Sequence, residues 1–333
     1  MNISRLFAKS NFVILTAAIV FATLFSGNTA PAQAAAKPVT VNVAINGGLN
    51  IFALLKEKGL LEAAFKKYNA TVSWSEFSSG PPLLESLASK RVDISLLGDG
   101  AALQGLSAGL PFRSIGLVSE GRKLNSILVQ PNSKIKSIKD LKGKSVAVTK
   151  GTTPHVFLIK ALAKNGLTEK DLKIVNLQLP DALPAFAAGK VDAWVTIDPY
   201  TTQLTIQKKG RVLAGADQGI QAPITLIART AFAKDHPELV TAFLSAYKEA
   251  LAWQKSHVDD AAQIYAELKK IPAPIVKEVI LNQDSTLSPV TKEAIATQQA
   301  SADVLFKEKF LKKKVKYADS VDNTFVNKVL KLK

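Results

Sequence analysis

The sequence predicts an α/β chain of two doubly wound lobes joined by a two-crossing hinge, and three observations carry that prediction. A β-α-β-α-β pattern occurs twice. Each copy closes on a Val-Asp pair, Lys90-Arg91-Val92-Asp93 and Gly189-Lys190-Val191-Asp192, with a further aspartate six residues on, Asp99 and Asp198. After the second copy the strand-like spacing gives way to long amphipathic helices. The copies hold register to within a few residues: Val43 to Asp99 spans 56 positions and Val146 to Asp198 spans 52. So long a period, in only two copies, does not make a solenoid. Open sheets of this kind hold ligands at the carboxyl ends of their strands, so facing lobes place one between them.

Val39, Val41, Val43 and Ile45 alternate as in a strand, and Asn46-Gly47-Gly48 breaks the alternation before a helical stretch at 49–61. A second strand follows at 70–77. Ser78-Ser79-Gly80-Pro81-Pro82 then turns the chain into a helix with proline in its first turn. Residues 94–97 form a buried strand, and 113–117 and 126–130 are further strands, the last leading away into the other lobe. Residues 133–141 are a polar connector. The second copy starts at 145–149, continues through Asn165-Gly166-Leu167 to a β-like run at 172–179, and ends at Asp198. A helix at 199–208, a short strand at 212–213 and a return strand at 223–228 follow. The helices from 235 onwards, ending with 291–306, are expected to pack on the first lobe, where the return crossing leads. The expected boundaries are 35–124 with 224–333 for lobe 1, and 125–223 for lobe 2.

Residues 1–34 read as a secretory signal. Arg5 and Lys9 precede an apolar segment at 12–25, and Ala32-Gln33-Ala34 is a small-residue cleavage site. The apolar segment is short of the roughly 20 residues a membrane span needs, and Ser26-Gly27-Asn28 ends it. No later stretch reads as membrane-spanning. The expected location is therefore periplasmic, with the signal removed.

The 333 residues include no cysteine. That excludes disulfides, a lipidated cysteine, thiol catalysis, cysteine-ligated zinc and iron–sulfur clusters. Three scattered histidines, His155, His236 and His257, give no metal site. No cofactor is indicated either: there is no Walker A motif, and Gly98-Asp99-Gly100 has the wrong spacing for a dinucleotide fingerprint. The net charge is +16, and part of the excess lies in the lysines of the C-terminal tail, among them Lys312, Lys313 and Lys314. The tail lacks interleaved base-stacking aromatics, so nucleic acid is not indicated. The overall field mildly favours an anionic ligand.

Loops following the strands carry the candidate ligand-binding groups. Lobe 1 offers Asn46, Gly47, Gly48, Ser78, Ser79, Gly80, Gly98 and Asp99; lobe 2 offers Thr152, Thr153, His155, Asp198 and Tyr200. Glycines there permit close backbone approach. Helix N-termini after Gly80 and Gly151 present free N–H groups and a positive dipole end, and the small hydroxyls donate to oxygens. This is the equipment for holding a small oxyanion without a metal. The competing reading is that the hydroxyls only cap helices. For Asp99 and Asp198 the competing readings are paired-carboxylate chemistry and, again, helix caps. His155 has only threonines as neighbouring nucleophiles and no orienting acid, so it reads as a polar contact. No catalytic residue is assigned. Trp194 reads as core or as a cleft-lining ring.

At these residues the chain resembles the aliphatic-sulfonate-binding proteins that serve ATP-binding-cassette (ABC) importers. They belong to a wider set for taurine, nitrate and thiamine-precursor pyrimidines. The similar stretches include Trp74-Ser75-Glu76-Phe77-Ser78-Ser79-Gly80-Pro81-Pro82-Leu83, Lys150-Gly151-Thr152-Thr153-Pro154-His155 and Val191-Asp192-Ala193-Trp194-Val195-Thr196-Ile197-Asp198-Pro199-Tyr200. The resemblance implies a periplasmic-binding-protein-like type II fold, a monomer whose lobes close on a sulfonate, and delivery to a membrane permease for sulfur acquisition. It implies that Ser78, Ser79, the Gly80 backbone, Thr152 and Thr153 donate to the sulfonate oxygens. Taurine, nitrate or a pyrimidine are the alternative ligands, and an aspartate pair suits an amine-bearing zwitterion. The enzyme alternative, a thiamine-pyrimidine synthase, resembles a form that lacks an export signal and carries a cysteine-rich motif. N-terminal sequencing of the exported protein is expected to find Ala35 first; retention of the apolar segment would overturn the leader reading.

Overall fold

The computed structural model describes residues 37–332, so the signal expected at 1–34 lies outside the described residues. The first sheet takes β1 (Val39–Asn46), β2 (Ala70–Phe77), β3 (Ile94–Gly98), β4 (Phe112–Ser119) and β10 (Ile224–Arg229). Its strand order is β2-β1-β3-β10-β4. The second sheet takes β5 (Asn125–Val129), β6 (Ser145–Val148), β7 (Lys173–Asn176), β8 (Ala193–Ile197) and β9 (Arg211–Ala214), in the order β7-β6-β8-β5-β9. The two orders are the same, with β10 and β5 in corresponding places. Each is the antiparallel member of its sheet, and each is supplied by chain arriving from the other lobe. The internal repeat read from the sequence is therefore a repeat of sheet topology.

The two crossings run between β4 and β5 and between β9 and β10, and they touch. Gly121 lies at φ +66°, and a Cβ there would come within 2.1 Å of the Ala222 carbonyl oxygen. Only glycine gives both the left-handed backbone and the space.

Helices cover both faces of each sheet. In the first lobe they are α1 (Ile51–Glu57), α2 (Leu60–Lys66), α3 (Gly80–Ala88) and α4 (Asp99–Ser107). The single helix expected at 49–61 is two helices, because Gly59 adopts φ +61°, a left-handed geometry that ends a helix. Asn50 starts α1 by accepting the Phe52 N–H at 3.1 Å. The second lobe carries α5 (Thr153–Lys164), α6 (Leu179–Ala187) and α7 (Tyr200–Ile206).

The Val-Asp pairs are strand clips. Asp93 is 2% exposed, and its Oδ2 accepts the Asn42 backbone N–H and the Asn42 side-chain amide, both at 2.9 Å. Its Oδ1 accepts Arg229 Nε at 3.0 Å and the Arg229 Nη2. One carboxylate thus ties together β1, β3 and β10. Asp192 does the equivalent with Ser145, accepting its backbone N–H at 2.8 Å and its hydroxyl at 2.7 Å, but no arginine joins it.

The tail comprises α8 (Thr230–Asp235), α9 (Pro237–Ser256), α10 (Val258–Lys269), α11 (Ala273–Asn282), α12 (Lys292–Lys307) and α13 (Thr324–Leu330). Among the described residues no helix is long and apolar enough to cross a membrane. Side chains of α9, α10 and α11, including Phe243, Tyr247, Tyr265 and Val276, bury with Phe52 and Phe65 in the first-lobe core, as expected for the tail. The later part of the tail departs from that expectation. α12 packs against both α4 and α5, and α11 reaches α7. Leu103 of α4 and Val156 and Ile159 of α5 share one apolar cluster with Ala294, Ala302 and Leu305 of α12. Those three side chains need cover from water, and α12 supplies it across both lobes at once.

Asp93→Ala strands an arginine and two N–H donors, so it is expected to cost about 3–5 kcal/mol in urea unfolding. Asp192→Ala, which frees only neutral donors, should cost about 1–3 kcal/mol. Equal losses would show that the arginine adds nothing to the clip.

Candidate functional site

The carboxyl ends of β1, β3, β6 and β8 open on one cavity of about 200 Å³. Sequence reading places most of its wall: Asn46, Gly47, Gly48, Ser78, Ser79, Gly80, Gly98, Thr152, Thr153 and Asp198 all line it. Asp99, His155 and Tyr200 do not.

In the first lobe, Gly47 and Gly48 adopt φ +42° and +64°, turning the chain sharply out of β1. Asn50 Nδ2 holds that turn by donating to the Gly47 carbonyl at 2.8 Å, and Asn46 Nδ2 donates to the Leu96 carbonyl at 3.0 Å. Both asparagine side chains are therefore committed to shaping the loop. Ser79 stands at the N-cap of α3 without capping it; it is 7% exposed, and its hydroxyl has no partner. Pro81 and Pro82 carry no N–H, which leaves Gly80 as the free amide of the helix's opening residues. Ser78 is exposed, and its hydroxyl donates across the cavity to Gln178 Oε1 at 3.5 Å.

The second lobe mirrors this at α5. Thr152 is the N-cap but gives no side-chain cap; its hydroxyl instead donates to the Thr149 carbonyl at 2.6 Å. Thr153 is 8% exposed, and its hydroxyl has no hydrogen-bond partner among the described residues. The capping alternative therefore fails at Ser79, Thr152 and Thr153, and two of the four expected hydroxyls, Ser79 and Thr153, stand uncommitted on opposite lobes.

The glycines do a different job from the one expected. A Cβ on Gly80 would lie 2.3 Å from Ala101 Cβ, and one on Gly98 would lie 2.2 Å from Thr153 Cγ2. One on Gly100 would lie 2.6 Å from the Thr152 carbonyl oxygen. Their missing side chains let α3 approach α4, and lobe 1 approach lobe 2 beside the cavity.

Asp99 is fully buried and faces away from the cavity. Its Oδ1 accepts the Gly100 N–H at 2.7 Å, and Ser301 of α12 reaches its Oδ2 at 3.5 Å. Ser301 also receives Lys160 Nζ of α5 at 2.7 Å. Burial pushes the Asp99 carboxyl up to about 7 and lowers Lys160, each toward its neutral form. His155 is buried behind the α5 N-terminus: its Nδ1 accepts the Gly151 N–H at 3.2 Å and its Nε2 meets Glu169 Oε1 at 3.0 Å. That geometry puts the imidazole proton on Nε2 and makes His155 a brace for the Lys150-Gly151 turn. The Tyr200 ring packs tilted against Trp194, with centroids 5.2 Å apart, and Trp194 is wholly buried in the second-lobe core. Asp198 does reach the cavity while its Oδ1 accepts the Thr202 N–H at 2.9 Å, and burial raises its pKa.

Sequence reading missed the floor and the mouth. Tyr247 and Gln254 of α9 line the cavity, as do Asn282 at the end of α11, Gln283, Asp284 and Ser285 after it, and Lys123 on the first crossing. One signal was available: Gln254 sits two turns after Tyr247 on the apolar stripe of α9, where a polar residue is out of pattern.

A profile of NMT1/THI5-like proteins matches residues 75–261. A Bacillus subtilis protein named for binding aliphatic sulfonates is 36% identical over 291 residues, covering 87% of this chain and 88% of its own. The chain belongs to this family of aliphatic-sulfonate-binding proteins. The alkanesulfonate-binding protein SsuA from Xanthomonas axonopodis pv. citri, bound to MOPS, superposes with a TM-score of 0.80 at 28% identity, over 86% of this chain and 99% of its own. The periplasmic aliphatic sulphonate binding protein SsuA from Escherichia coli gives 0.77 at 30% identity, over 86% and 92%. The family membership and the periplasmic-binding-protein-like fold agree with the resemblance read from the sequence.

Asp99 yields a pH test. The unfolded carboxyl ionises near 3.8 and the folded one near 7, so between those values the folded state holds the extra proton. Stability is expected to fall as pH rises through that window, by roughly 1.4 kcal/mol per unit at most, and to level off above it. In Asp99→Asn the decline from this group should vanish. An unchanged pH profile by chemical denaturation would show that Asp99 ionises normally.

Proposed function

We propose that the chain is the extracytoplasmic binding protein of an ABC importer, capturing an aliphatic sulfonate by closure of its two lobes. The observation that carries this reading is the pair of uncommitted hydroxyls, Ser79 and Thr153. They stand on opposite lobes at helix N-termini without side-chain caps, and both line one cavity. A sulfonate spreads one negative charge over three oxygens, and neutral donors from hydroxyls, backbone N–H groups and helix ends suit it without a countercharge. Among the described residues Lys123 is the one basic residue on the wall, and it is an exposed residue of the crossing. The apolar wall of Leu49, Ile51, Leu96, Val118, Leu179, Ile197 and Ile224 takes the hydrocarbon.

A ligand touching both donors gains its full set of contacts only when the lobes are together, so binding shifts the population toward the closed form. A permease then recognises that form, and the sulfonate is released inward as a sulfur source. The protein acts in the periplasm after removal of its leader, and it binds its ligand without transforming it. An aminosulfonate such as taurine is the second reading, supported by the Asp198 carboxylate on the wall.

Titration calorimetry with alkanesulfonates and taurine tests both. Ser79→Ala and Thr153→Ala each remove a hydrogen bond to a charged group, worth roughly 1.5–3 kcal/mol, and are expected to weaken sulfonate binding by about one to two decades. Melting temperatures should change little, because neither hydroxyl bonds to the protein. Full affinity in the double variant would place the oxyanion elsewhere.

A further inference from the structure

The floor of the cavity is polar at a place where an alkyl chain alone would leave it unsatisfied. Tyr247 is 3% exposed, lines the cavity, and has no hydrogen-bond partner for its hydroxyl among the described residues. Buried phenols ordinarily find one. Its ring is held by Phe52 at 6.1 Å and Phe243 at 6.3 Å, so the hydroxyl cannot swing to solvent without unpacking the core. Gln254, also 3% exposed and also on the wall, lies two turns along the same face of α9, about 10 Å further on. One end of its amide is engaged by the Tyr265 hydroxyl at 2.8 Å, and that hydroxyl also lies 3.1 Å from the Asn50 carbonyl. The other end of the amide has no protein partner among the described residues.

At this floor stand the Tyr247 phenol and the Gln254 amide, backed by the Tyr265 hydroxyl and the Asn50 carbonyl, and among the described residues no ionised side chain bonds to any of them. A charged group seated there would be buried without a countercharge, which is strongly unfavourable. An uncharged hydrogen-bonding group would be satisfied and would satisfy Tyr247 in turn.

We infer that Tyr247, with Gln254, forms a second, distal subsite that selects sulfonates carrying an uncharged hydrogen-bonding oxygen or nitrogen at the end away from sulfur. This rests on the sulfonate reading of the same cavity and narrows it. The oxyanion docks where α3 and α5 begin, the hydrocarbon crosses the apolar wall, and the far end of the ligand meets α9. Because α9 belongs to the helical tail and the oxyanion donors to the strand-end loops, the two ends of the ligand are read by parts of the chain far apart in sequence.

The test uses the mature protein and two matched series, unbranched alkanesulfonates of two to eight carbons and their ω-hydroxy counterparts. Wild type is expected to prefer the hydroxylated member at the chain length that spans the cavity. Tyr247→Phe keeps the ring and removes the hydroxyl, so it should weaken that ligand about three- to tenfold more than the plain sulfonate of equal length. Its melting temperature should match wild type, since no protein contact is lost. If the variant treats the two series alike, or wild type shows no preference at any length, the distal subsite is wrong and the sulfonate reading survives. If no sulfonate binds wild type at all, the sulfonate reading itself fails and the subsite falls with it.

Discussion

Each sheet borrows its antiparallel strand from the chain leaving the other, and most of the molecule's behaviour follows from that exchange. β5 pairs with β8 and β9 although it continues from β4, and β10 pairs with β3 and β4 although it continues from β9. Neither sheet is complete without its partner's chain. The lobes therefore cannot part, yet only the segments at 120–124 and 215–223 join their sheets. Gly121 presses directly on Ala222 where these segments meet. On the proposed reading, rotation about that contact opens or shuts the face where β1, β3, β6 and β8 end.

The cavity at that face is built by subtraction as much as by display. Glycines at 98 and 100 remove the side chains that would hold the lobes apart, bringing Thr153 close to the end of β3. The loops are then pinned by groups that take no part in lining: His155 on the Gly151 amide and Asp99 on Gly100. A donor aimed at an anion is worth most when its position costs nothing to maintain at the moment of binding. In the proposed site Ser79 and Thr153 have that character, being buried and free of other bonds among the described residues.

The helical tail is the element that distinguishes the two lobes. α9 supplies the cavity floor, and α12 lies over both α4 and α5, joining them through one apolar cluster and through the Lys160–Ser301–Asp99 chain. On the proposed reading, closure of the lobes must accommodate that helix. The junction beneath α12 is also where a carboxyl and an amine are both pushed toward neutrality by burial.

Local chemistry made much of this legible. Alternating valines gave β1, proline in a first turn gave α3, and a repeated Val-Asp with a later aspartate gave the doubled topology, because strand and turn preferences act over a few residues. Family membership followed from the loops around Ser79 and Thr153. Contacts between distant segments were not legible. Asp99 and Asp198 occupy matching places in the two copies, and the sequence offers them as a pair. The tertiary structure separates them: α12, some two hundred residues after Asp99, covers one and buries it against Ser301, whereas Asp198 keeps a face on the cavity. Tyr247 reads as an ordinary position of an amphipathic helix, and Gln254 only as a polar residue out of pattern, until α9 is laid across α1. Sequence determines what each segment can form by itself; which polar group is sealed and which is left facing the ligand depends on what packs over it, and that cover comes from the far end of the chain.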